Sequence, residues 1–382
     1  MLVRTLTTEQ DFKRYNEWVL AHPQGNLWQS LERKKYSEAC GKSTRIYTSG
    51  KCPPGCGRTG KVESGKYEAS ALIIIDRTIG GFSTWEIPRG PLWTSEGALQ
   101  DLMKRIIEDA KREKCIQIFF SPQKSLTTNH WPLTTSFRHV HPQATRIIDL
   151  MQKEEDILSQ MHPKGRYNIR IATKHGVRVE QGSAKDIDAF YALLQSTGSR
   201  DGFKVSQKSH YTRFLTDLSG SFILMAKHQG KPIAGLVGVV WPPQPSSPAL
   251  LHKNGEGSSV LRNPEIPLSI FMERGGPQAG VRAAIYYYGS SSYAHRHLMA
   301  PYLLQWEAMK LCKAADCTTY DLLGVDPPVS GGSPRQSRLP WLGISDFKSK
   351  FGGTVVTYPQ EQTIVLRPMV KKMLEWKRGV VG

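Results

Sequence analysis

Cysteines and long apolar segments are both scarce in this sequence. Six cysteines spread over 382 residues do not form a disulfide framework, and only Cys52 and Cys56 lie close together. Cys40 is nearby but no histidine lies close in sequence, so the ligands of a zinc site are incomplete, and we predict no metal and no cofactor. The first 25 residues lack the apolar core of a secretion signal and every apolar run is far shorter than a membrane span, so we expect a cytoplasmic protein.

Acidic residues are also scarce relative to basic ones. The chain has 51 Lys and Arg against 33 Asp and Glu, which gives a net charge of +18. Such an excess attracts polyanions and speeds their capture. A nucleic acid or a phosphate-bearing substrate is therefore the favoured class of partner, although a general need for solubility would produce the same charge.

The stretch GCGRTGKV at residues 55–62 has the glycine spacing of a phosphate-binding loop but lacks its other parts. Val62 stands where such a loop needs Ser or Thr to hold Mg²⁺, and prolines interrupt the residues before it. The residues that follow predict a strand, because 71–75 is a short apolar run rich in β-branched residues. We interpret the stretch as a basic hairpin loop.

The chain is long enough for two ordinary domains, and its patterns repeat one α/β plan. We predict a first domain over residues 1–147, joined by a segment from about 360 to 382, and a second over residues 148–359 with an irregular insertion at about 242–280. Capping residues and apolar spacing predict helices in TTEQDFKRYNEWVLAHP, SLERKKYSEAC, SEGALQDLMKRIIEDAKREK and KGRYNIRIATKHG. Apolar runs predict strands in EASALIIID, FSTWEIP, CIQIFFSP and KPIAGLVGVVW.

Several linked motifs resemble one known family. KGRYNIRIATKHGVRV, STGSRDGF, YYYGSSSYAHRHLMAPYLLQWEAMKLCKAADCTTYDLLGV and SDFKSKFGG are similar, in order and spacing, to the Fem-type aminoacyltransferases of peptidoglycan cross-bridge synthesis. EIPRGPLW resembles the same family's Pro-Arg-Gly-Pro turn. The resemblance implies an α/β fold of two acetyltransferase-like (GNAT) domains in tandem. It implies the compact FemX form, because no long helical hairpin or coiled-coil arm interrupts the second domain.

The same resemblance implies an enzyme and its partners. The donor would be aminoacyl-tRNA, and the acceptor would be the side-chain amine of the stem peptide of a peptidoglycan precursor. Whether the precursor is UDP-MurNAc-pentapeptide or lipid II stays open, as does the amino acid transferred. We expect a monomer, and a peripheral contact with the inner membrane surface is compatible with a lipid-linked acceptor.

The segment KGRYNIRIATKHG is the candidate tRNA-binding helix. It places Lys164, Arg166, Arg170 and Lys174 around one helix, with Tyr167 and Ile171 interleaved as a packed underside. The alternative is a basic face that only meets solvent.

Five further residues are candidates for binding the precursor. Arg200 precedes Gly202 and Phe203 in what we expect to be a loop after a helix, a common place for function. By resemblance Arg200 would contact the precursor's diphosphate, with Lys34 or Lys35 as its partner and with Tyr211 lining the same substrate site. An arginine suits phosphate because its planar fork binds two oxygens, although a surface salt bridge is the plain alternative.

The strand YYYGSSS supplies the fifth candidate. Strand alternation predicts Tyr287 on one face and Tyr286 and Tyr288 on the other, so at least one of them packs in the core. Tyr288 is nearest the following loop, and we predict that it faces the substrate.

Phe347 and Lys348 are the candidate catalytic pair, by resemblance to the family's Phe-Lys motif in SDFKSKFGG. Aminolysis of an ester passes through a tetrahedral species with a negative oxygen, which a fixed cation stabilises. We expect Lys348 at the end of a flexible loop, and the alternative is that it only solvates that loop. No adjacent nucleophile and base argue for a covalent intermediate, so direct attack by the acceptor amine is the simpler mechanism.

Two rival functions have weaker support in the sequence. An acyl-CoA N-acyltransferase of the same fold would need a Gly-rich turn that opens a helix, but RTIGGF lies between two predicted strands. A non-catalytic RNA-binding protein is compatible with the charge but leaves SDFKSKFGG unexplained.

Overall fold

A computed structural model describes residues 1–51, 67–77, 79–126, 131–136, 138, 140–243, 282–327 and 339–381, with the backbone alone at residues 79, 339–342 and 377–381. Three features discussed above lie outside this range: the stretch at residues 55–62, the pair Cys52 and Cys56, and most of the predicted insertion. The chain forms two compact units. Unit 1 contains the described parts of Met1–His141 and Tyr358–Gly382, and unit 2 contains those of Pro142–Glu273 and Val281–Thr357.

Unit 1 is a mixed sheet with four helices. Its strands are β1 Leu2–Thr5, β2 Ser43–Gly50, β3 Tyr67–Arg77, β4 Ser83–Pro88, β5 Leu92–Trp93, β6 Cys115–Ser121, β7 Thr134–Thr135 and β15 Gln362–Val365. Its helices are α1 Glu9–Ala21, α2 Leu31–Ala39, α3 Glu96–Arg112 and α10 Pro368–Val381. The strand order is β1-β2-β3-β4-β6-β15-β7, and β5 pairs with β3.

Unit 2 repeats this mixed arrangement. Its strands are β8 Ala144–Asp149, β9 Arg178–Gln181, β10 Ser221–His228, β11 Lys231–Trp241, β12 Arg282–Ser291, β13 Cys317–Val325 and β14 Thr354–Thr357. Its helices are α4 Glu154–Gln160, α5 Pro163–Lys174, α6 Ile187–Asp201, α7 Lys208–Asp217, α8 Ala300–Ala314 and α9 Leu339–Ser349. The strand order is β14-β8-β13-β12-β11-β10-β9.

Each sheet contains one parallel pair, which is β4 with β6 in unit 1 and β12 with β13 in unit 2. The other recorded pairings are antiparallel. In each case a long helix, α3 or α8, connects the two parallel strands, as a parallel connection requires. The apolar faces of α3 and α8 pack on their sheets and form the two main clusters of buried residues.

Local signals explain where several helices begin. The side chains of Thr8, Ser30 and Ser95 accept hydrogen bonds from the first turns of α1, α2 and α3, and all three helices were predicted. The sequence patterns did not predict β1, β2 or β14. Their side chains are only partly buried or mixed in polarity, so the apolar signal of these strands is weak.

Candidate active site

A β-bulge in β12 sets the directions of three consecutive tyrosines. Val237 pairs with Tyr288 and Gly238 pairs with Tyr286, so Tyr287 is an extra residue in β12. The rings of Tyr287 and Tyr288 both contact Phe214, at centroid distances of 4.8 and 5.3 Å. The predicted alternation is therefore wrong, because the bulge interrupts the period of two on which it relied.

Tyr286 points into a different environment from its two neighbours. It packs against the core cluster that contains α8, and burial raises the pKa of its hydroxyl to about 12 although a hydrogen bond with Gln305 opposes this rise. Tyr286 lies on the side of the sheet where Lys348 lies, since the Nζ of Lys348 is near its ring.

The parallel pair of β12 and β13 stops pairing part-way along. Its last matched residues are Ile285 and Asp321, although β12 continues to Ser291 and β13 to Val325. Leu323 then adopts a left-handed backbone conformation with φ of +55°. Its amide donates a 2.7 Å hydrogen bond to the Asp321 carboxylate, which holds this irregular segment in place.

Lys348 lies beside this opening. It belongs to the last turn of α9 and is buried, so the prediction that it stands at the end of a flexible loop is wrong. Its Nζ donates a 2.7 Å hydrogen bond to the carbonyl oxygen of Gly324 and lies 5.7 Å from the centre of the Tyr286 ring. Burial lowers the pKa of Lys348 to about 8, while the nearby Asp321 carboxylate raises it.

These surroundings make Lys348 a fixed cation of limited hydration. An ammonium has three donors, and a buried one interacts strongly with a developing negative charge because little water screens it. The observed burial also contradicts the alternative that Lys348 only solvates a loop. Lys350 differs, since its Nζ forms a 2.7 Å salt bridge with Asp346 in the same helix-end segment.

Phe347 belongs to an aromatic cluster next to Lys348. Its ring lies 5.1 Å from those of Tyr302 and Phe351. It also lines a shallow cavity. The other lining residues are Ile233, Ser291, Ser292, His295, Arg296, Met299, Ala300, Pro301 and Tyr302. Phe347 thus presents an apolar contact surface in this cavity, and it precedes Lys348 directly in the chain.

The structure brings Tyr211 and Tyr288 together. Their ring centres are 5.1 Å apart, and Nε2 of His210 lies 2.9 Å from the Tyr288 hydroxyl. The Tyr211 hydroxyl accepts a hydrogen bond from the amide of Ser206. His210 was not a candidate, because nothing in the sequence of α7 indicated that it would reach β12.

Arg200 lies in the last turn of α6, which ends at Asp201 with Gly202 as its C-cap, so the expected loop placement is wrong. Its guanidinium binds both carboxylate oxygens of Asp201, at 2.6 and 2.8 Å. It also lies 5.7 Å from the ring of Tyr293, over which Arg296 lies at 4.2 Å. Tyr293 and Arg296 were not among the predicted site residues, although an aromatic residue among basic ones in SYAHRH was a signal.

One face of α5 carries exposed basic side chains. Lys164, Arg170 and Lys174 are exposed on it, and so is Tyr167, whose side chain is 59% accessible. Tyr167 is therefore not part of the packed underside as predicted. The underside consists of other residues of the helix. They are Gly165, Asn168, Ile169 and Ala172.

Arg166 has a different environment from the other basic residues of α5. Its guanidinium donates hydrogen bonds to the carbonyl oxygens of Ser159, at 2.9 Å, and Met161. The start of α5 also packs closely against the segment after Lys348. Gly165 lies so near to it that an added Cβ would be 2.4 Å from the carbonyl oxygen of Lys350. The basic face and Lys348 are thus parts of one packed structure.

Lys34 and Lys35 belong to α2 of unit 1, whereas Arg200 belongs to unit 2. Lys34 forms a 2.7 Å salt bridge with Glu38 and lies over the ring of Phe12, and Lys35 is exposed. The pairing of either lysine with Arg200 stays a prediction.

Neither a metal cluster nor a membrane-spanning helix occurs in the part of the chain that the structure describes. Among them, no group of three or more His, Cys, Asp or Glu side chains is placed to hold a metal ion. No helix in the described ranges has both the length and the apolar character needed to cross a bilayer.

Comparison with known proteins identifies the family. A model of the FemAB family matches residues 7–131, 123–227 and 281–376. The chain belongs to the FemAB family. Curated relatives include the lipid II:glycine glycyltransferase of Staphylococcus haemolyticus strain JCSC1435, which is 21% identical over 360 residues covering 82% of this chain and 83% of the relative. The lipid II:glycine glycyltransferase of Staphylococcus aureus is 21% identical over 362 residues, with the same coverage of both chains.

Solved structures agree on the fold. The crystal structure of FemX superposes with a TM-score of 0.69 at 16% identity, covering 97% of this chain and 100% of that one. A conserved protein of unknown function from Bacteroides thetaiotaomicron superposes with a TM-score of 0.52 at 11% identity, covering 95% of this chain and 99% of that one. The predicted fold, two acetyltransferase-like α/β domains in tandem, is confirmed.

Membership of the FemAB family also establishes the class of reaction. The chain is an aminoacyltransferase of the kind that uses aminoacyl-tRNA in peptidoglycan cross-bridge synthesis, as the resemblance implied. The alternative of a non-catalytic RNA-binding protein is therefore wrong.

Proposed function

We propose that this FemAB-family enzyme transfers an amino acid from aminoacyl-tRNA to the side-chain amine of the stem peptide of a peptidoglycan precursor, as a monomer. The observation that carries the proposal is the buried Lys348 beside the opening between β12 and β13. The names of the staphylococcal relatives, lipid II:glycine glycyltransferases, support an acceptor of this class. The carrier of the acceptor, a nucleotide in UDP-MurNAc-pentapeptide or a lipid in lipid II, is an outcome of the experiment below.

In the proposed mechanism the uncharged acceptor amine attacks the ester carbonyl of the aminoacyl-tRNA directly. The carbonyl oxygen becomes negative in the tetrahedral species, and the protonated Nζ of Lys348 donates a hydrogen bond to it. The new C–N bond forms, the C–O bond to the terminal ribose breaks, and the ribose oxygen takes up the proton that the amine loses. Phe347 provides an apolar wall next to the reacting carbonyl.

The remaining candidate residues receive binding roles in this proposal. Lys164, Arg170 and Lys174 form an exposed row of cations that suits the phosphates of tRNA. Arg200, Tyr211 and Tyr288 of unit 2 would bind the precursor, with Arg200 contacting its diphosphate. Arg200 has to exchange the Asp201 carboxylate for a phosphate to do so.

Arg166 is the weakest member of the proposed tRNA site. Its guanidinium already binds backbone carbonyl oxygens at the end of α4, so we assign it a part in holding α5 in position.

The test is a transfer assay with a mixture of radiolabelled aminoacyl-tRNAs and both forms of the precursor. We expect the label to appear in an amide on the stem-peptide amine with at least one precursor form. Arg200→Ala should raise KM for that precursor and leave tRNA binding unchanged, while Arg178→Ala, an exposed arginine of β9, serves as the charge-matched control. Absence of transfer to either precursor from every aminoacyl-tRNA would contradict the proposal.

A further inference from the structure

Helix α10 is held on unit 1 by one side. The amides of Leu366 and Arg367, just before the helix, donate hydrogen bonds of 2.8 and 3.0 Å to the carbonyl oxygen of Ile116 in β6. Val370 and Leu374 are half-buried on the side that faces the unit. The orientation of the helix is therefore fixed, and its opposite side faces outward.

That opposite side presents large apolar side chains to solvent. Met369 is 78% exposed, Met373 is 47% exposed and Trp376 is 68% exposed. Their spacing of four and three residues places them on one face of the helix, together with the exposed Lys372. We call these four residues the outer face of α10. Single exposed apolar residues are common, but a continuous row on one helix indicates a binding surface.

Basic residues lie where the start of α10 meets the end of α3. The guanidinium of Arg367 donates a 3.1 Å hydrogen bond to the carbonyl oxygen of Lys111, which joins the start of α10 to the end of α3. Lys111 and Lys114 are exposed at that end of α3. Within α10, Lys371 lies 3.8 Å from Glu375, so the acidic residue next to this surface is offset by a lysine.

We propose that the outer face of α10 is a membrane contact that binds unit 1 to an anionic lipid surface. A helix with Trp and Met on one side and lysines around them lies in the plane of the bilayer interface, with the apolar side chains among the acyl chains and the cations at the head groups. Each lysine near an anionic leaflet adds an electrostatic attraction to it. The chain's net charge of +18 favours a negatively charged surface over a neutral one.

A neutral or acidic protein surface fits this face less well than lipid does. The three apolar side chains form a row on a convex helix, which can enter a lipid interface without a matching groove. A second copy of this chain would bring the same positive charges to the contact, and like charges repel.

The test measures vesicle binding by the full-length chain, without tRNA or precursor. Phosphatidylcholine vesicles with and without phosphatidylglycerol are sedimented with the wild type and with the variant Met369→Ser/Met373→Ser/Trp376→Ser. We expect the wild type to bind the anionic vesicles, and the variant to lose at least about tenfold in partitioning because three apolar groups no longer leave water. Val140→Ser/Met151→Ser removes apolar side chains that are exposed elsewhere and should bind as the wild type does.

A second measurement tests insertion directly. Brominated lipids should quench part of the wild-type tryptophan fluorescence, and Trp376→Phe should bind vesicles but lose that quenched part. Failure of the wild type to bind anionic vesicles, or equal binding by the triple variant, would overturn the proposal. So would self-association of the wild type that the triple variant abolishes, since the face would then join two copies of the chain.

The transfer assay separates this proposal from the proposed function. The triple variant should still transfer an amino acid to a water-soluble precursor if that form is a substrate, which also shows that it is folded. Vesicle binding is measured without any transfer reaction, so either proposal can be contradicted while the other holds.

Discussion

The two units share a parallel strand pair with a connecting helix, but only one of the two pairs opens. In unit 1, β4 and β6 stay paired from Ser83 with Cys115 to Pro88 with Ser121. In unit 2, pairing of β12 and β13 ends at Ile285 with Asp321 while both strands continue. The comparison indicates that a parallel pair becomes a candidate active site where it stops pairing and a side chain such as Lys348 can enter.

The charged groups of the two units differ in the same way. Beside the closed pair, Arg138 bridges Glu86 of β4 and Glu361 at 3.3 and 3.1 Å, and His141 lies 2.9 Å from Glu86. Opposite charges therefore stabilise one another in unit 1. Within the described residues of unit 2, Lys348 makes no salt bridge and its Nζ binds a backbone carbonyl oxygen. The first arrangement favours stability, and the second leaves a cation available for chemistry.

The largest expected effect comes from removing that cation. Lys348→Met should lower kcat by about 10²–10³ with KM for the precursor little changed, because the lost donor acts only on the tetrahedral species. Steady-state kinetics at saturating tRNA give both values. Lys350→Met is the matched control and should have a much smaller effect, since Lys350 is engaged with Asp346. Equal, small effects of the two substitutions would exclude Lys348 from the chemistry.

Next in size is the electrostatic contribution of α5 in unit 2. Replacing Lys164, Arg170 and Lys174 with Gln should reduce the slope of log affinity for tRNA against log salt by about 2, if each lysine or arginine contacts one phosphate. Filter binding at several salt concentrations measures the slope. The control removes three exposed lysines of unit 1, two in α3 and one just after it. These are Lys104, Lys111 and Lys114. Similar slopes for the two triple variants would contradict a tRNA-binding site on α5.

Unit 1 should respond to loss of charge through stability. Burial alone would raise the pKa of Glu86, but the hydrogen bond from His141 and the charge of Arg138 together lower it to about 2. A carboxylate with a lowered pKa stabilises the folded state above its unfolded pKa of about 4.5 and loses this contribution as pH falls toward 2.

Glu86→Gln should therefore lower the free energy of unfolding by about 1–3 kcal/mol at neutral pH. It should also remove part of the fall in stability between about pH 4.5 and 2, as followed by chemical denaturation. Transfer per folded molecule should stay within about twofold of the wild type, because we place no chemistry at the closed pair. If Glu86→Gln kept the wild-type stability but lost much of its kcat, the closed pair of unit 1 would contribute to the chemistry, contrary to this prediction.

The smallest expected effect is a shift in the pH dependence of transfer. Burial lowers the pKa of Lys348 to about 8, and the Asp321 carboxylate counteracts part of that decrease. If the protonated form of Lys348 is active, kcat should decline above about pH 8. Asp321→Asn should move this decline to lower pH and keep an oxygen for the Leu323 amide. An unchanged pH profile would mean that Lys348 does not set the decline.

Local sequence patterns predicted much of the fold. Thr8, Ser30 and Ser95 mark helix starts by a capping bond formed within one turn, and the apolar run before Asp76 identifies β3. Signals of this kind act over a few residues, so the sequence alone is enough to recognise them.

The candidate site was readable only in part. Tyr211 and Tyr288 were both named, but their contact, and that of His210 with Tyr288, joins α7 to β12 across a long separation in sequence. Arg200 and Lys348 were expected in loops, whereas both lie in the last turns of helices. Gly202 follows α6, and it was interpreted as a loop signal although a glycine also marks a helix end.

The sequence by itself determined the family, the basic charge and the positions of the capped helices, because motif order, composition and local hydrogen bonds need no knowledge of distant contacts. Only the tertiary structure decided which tyrosine turns toward Lys348 and how deeply that lysine is buried. A bulge depends on how β11 and β12 pair, and burial depends on how α9, β12 and β13 pack together. Residues far apart in the chain set both, and so the shifted pKa of Lys348 is a property of the folded protein.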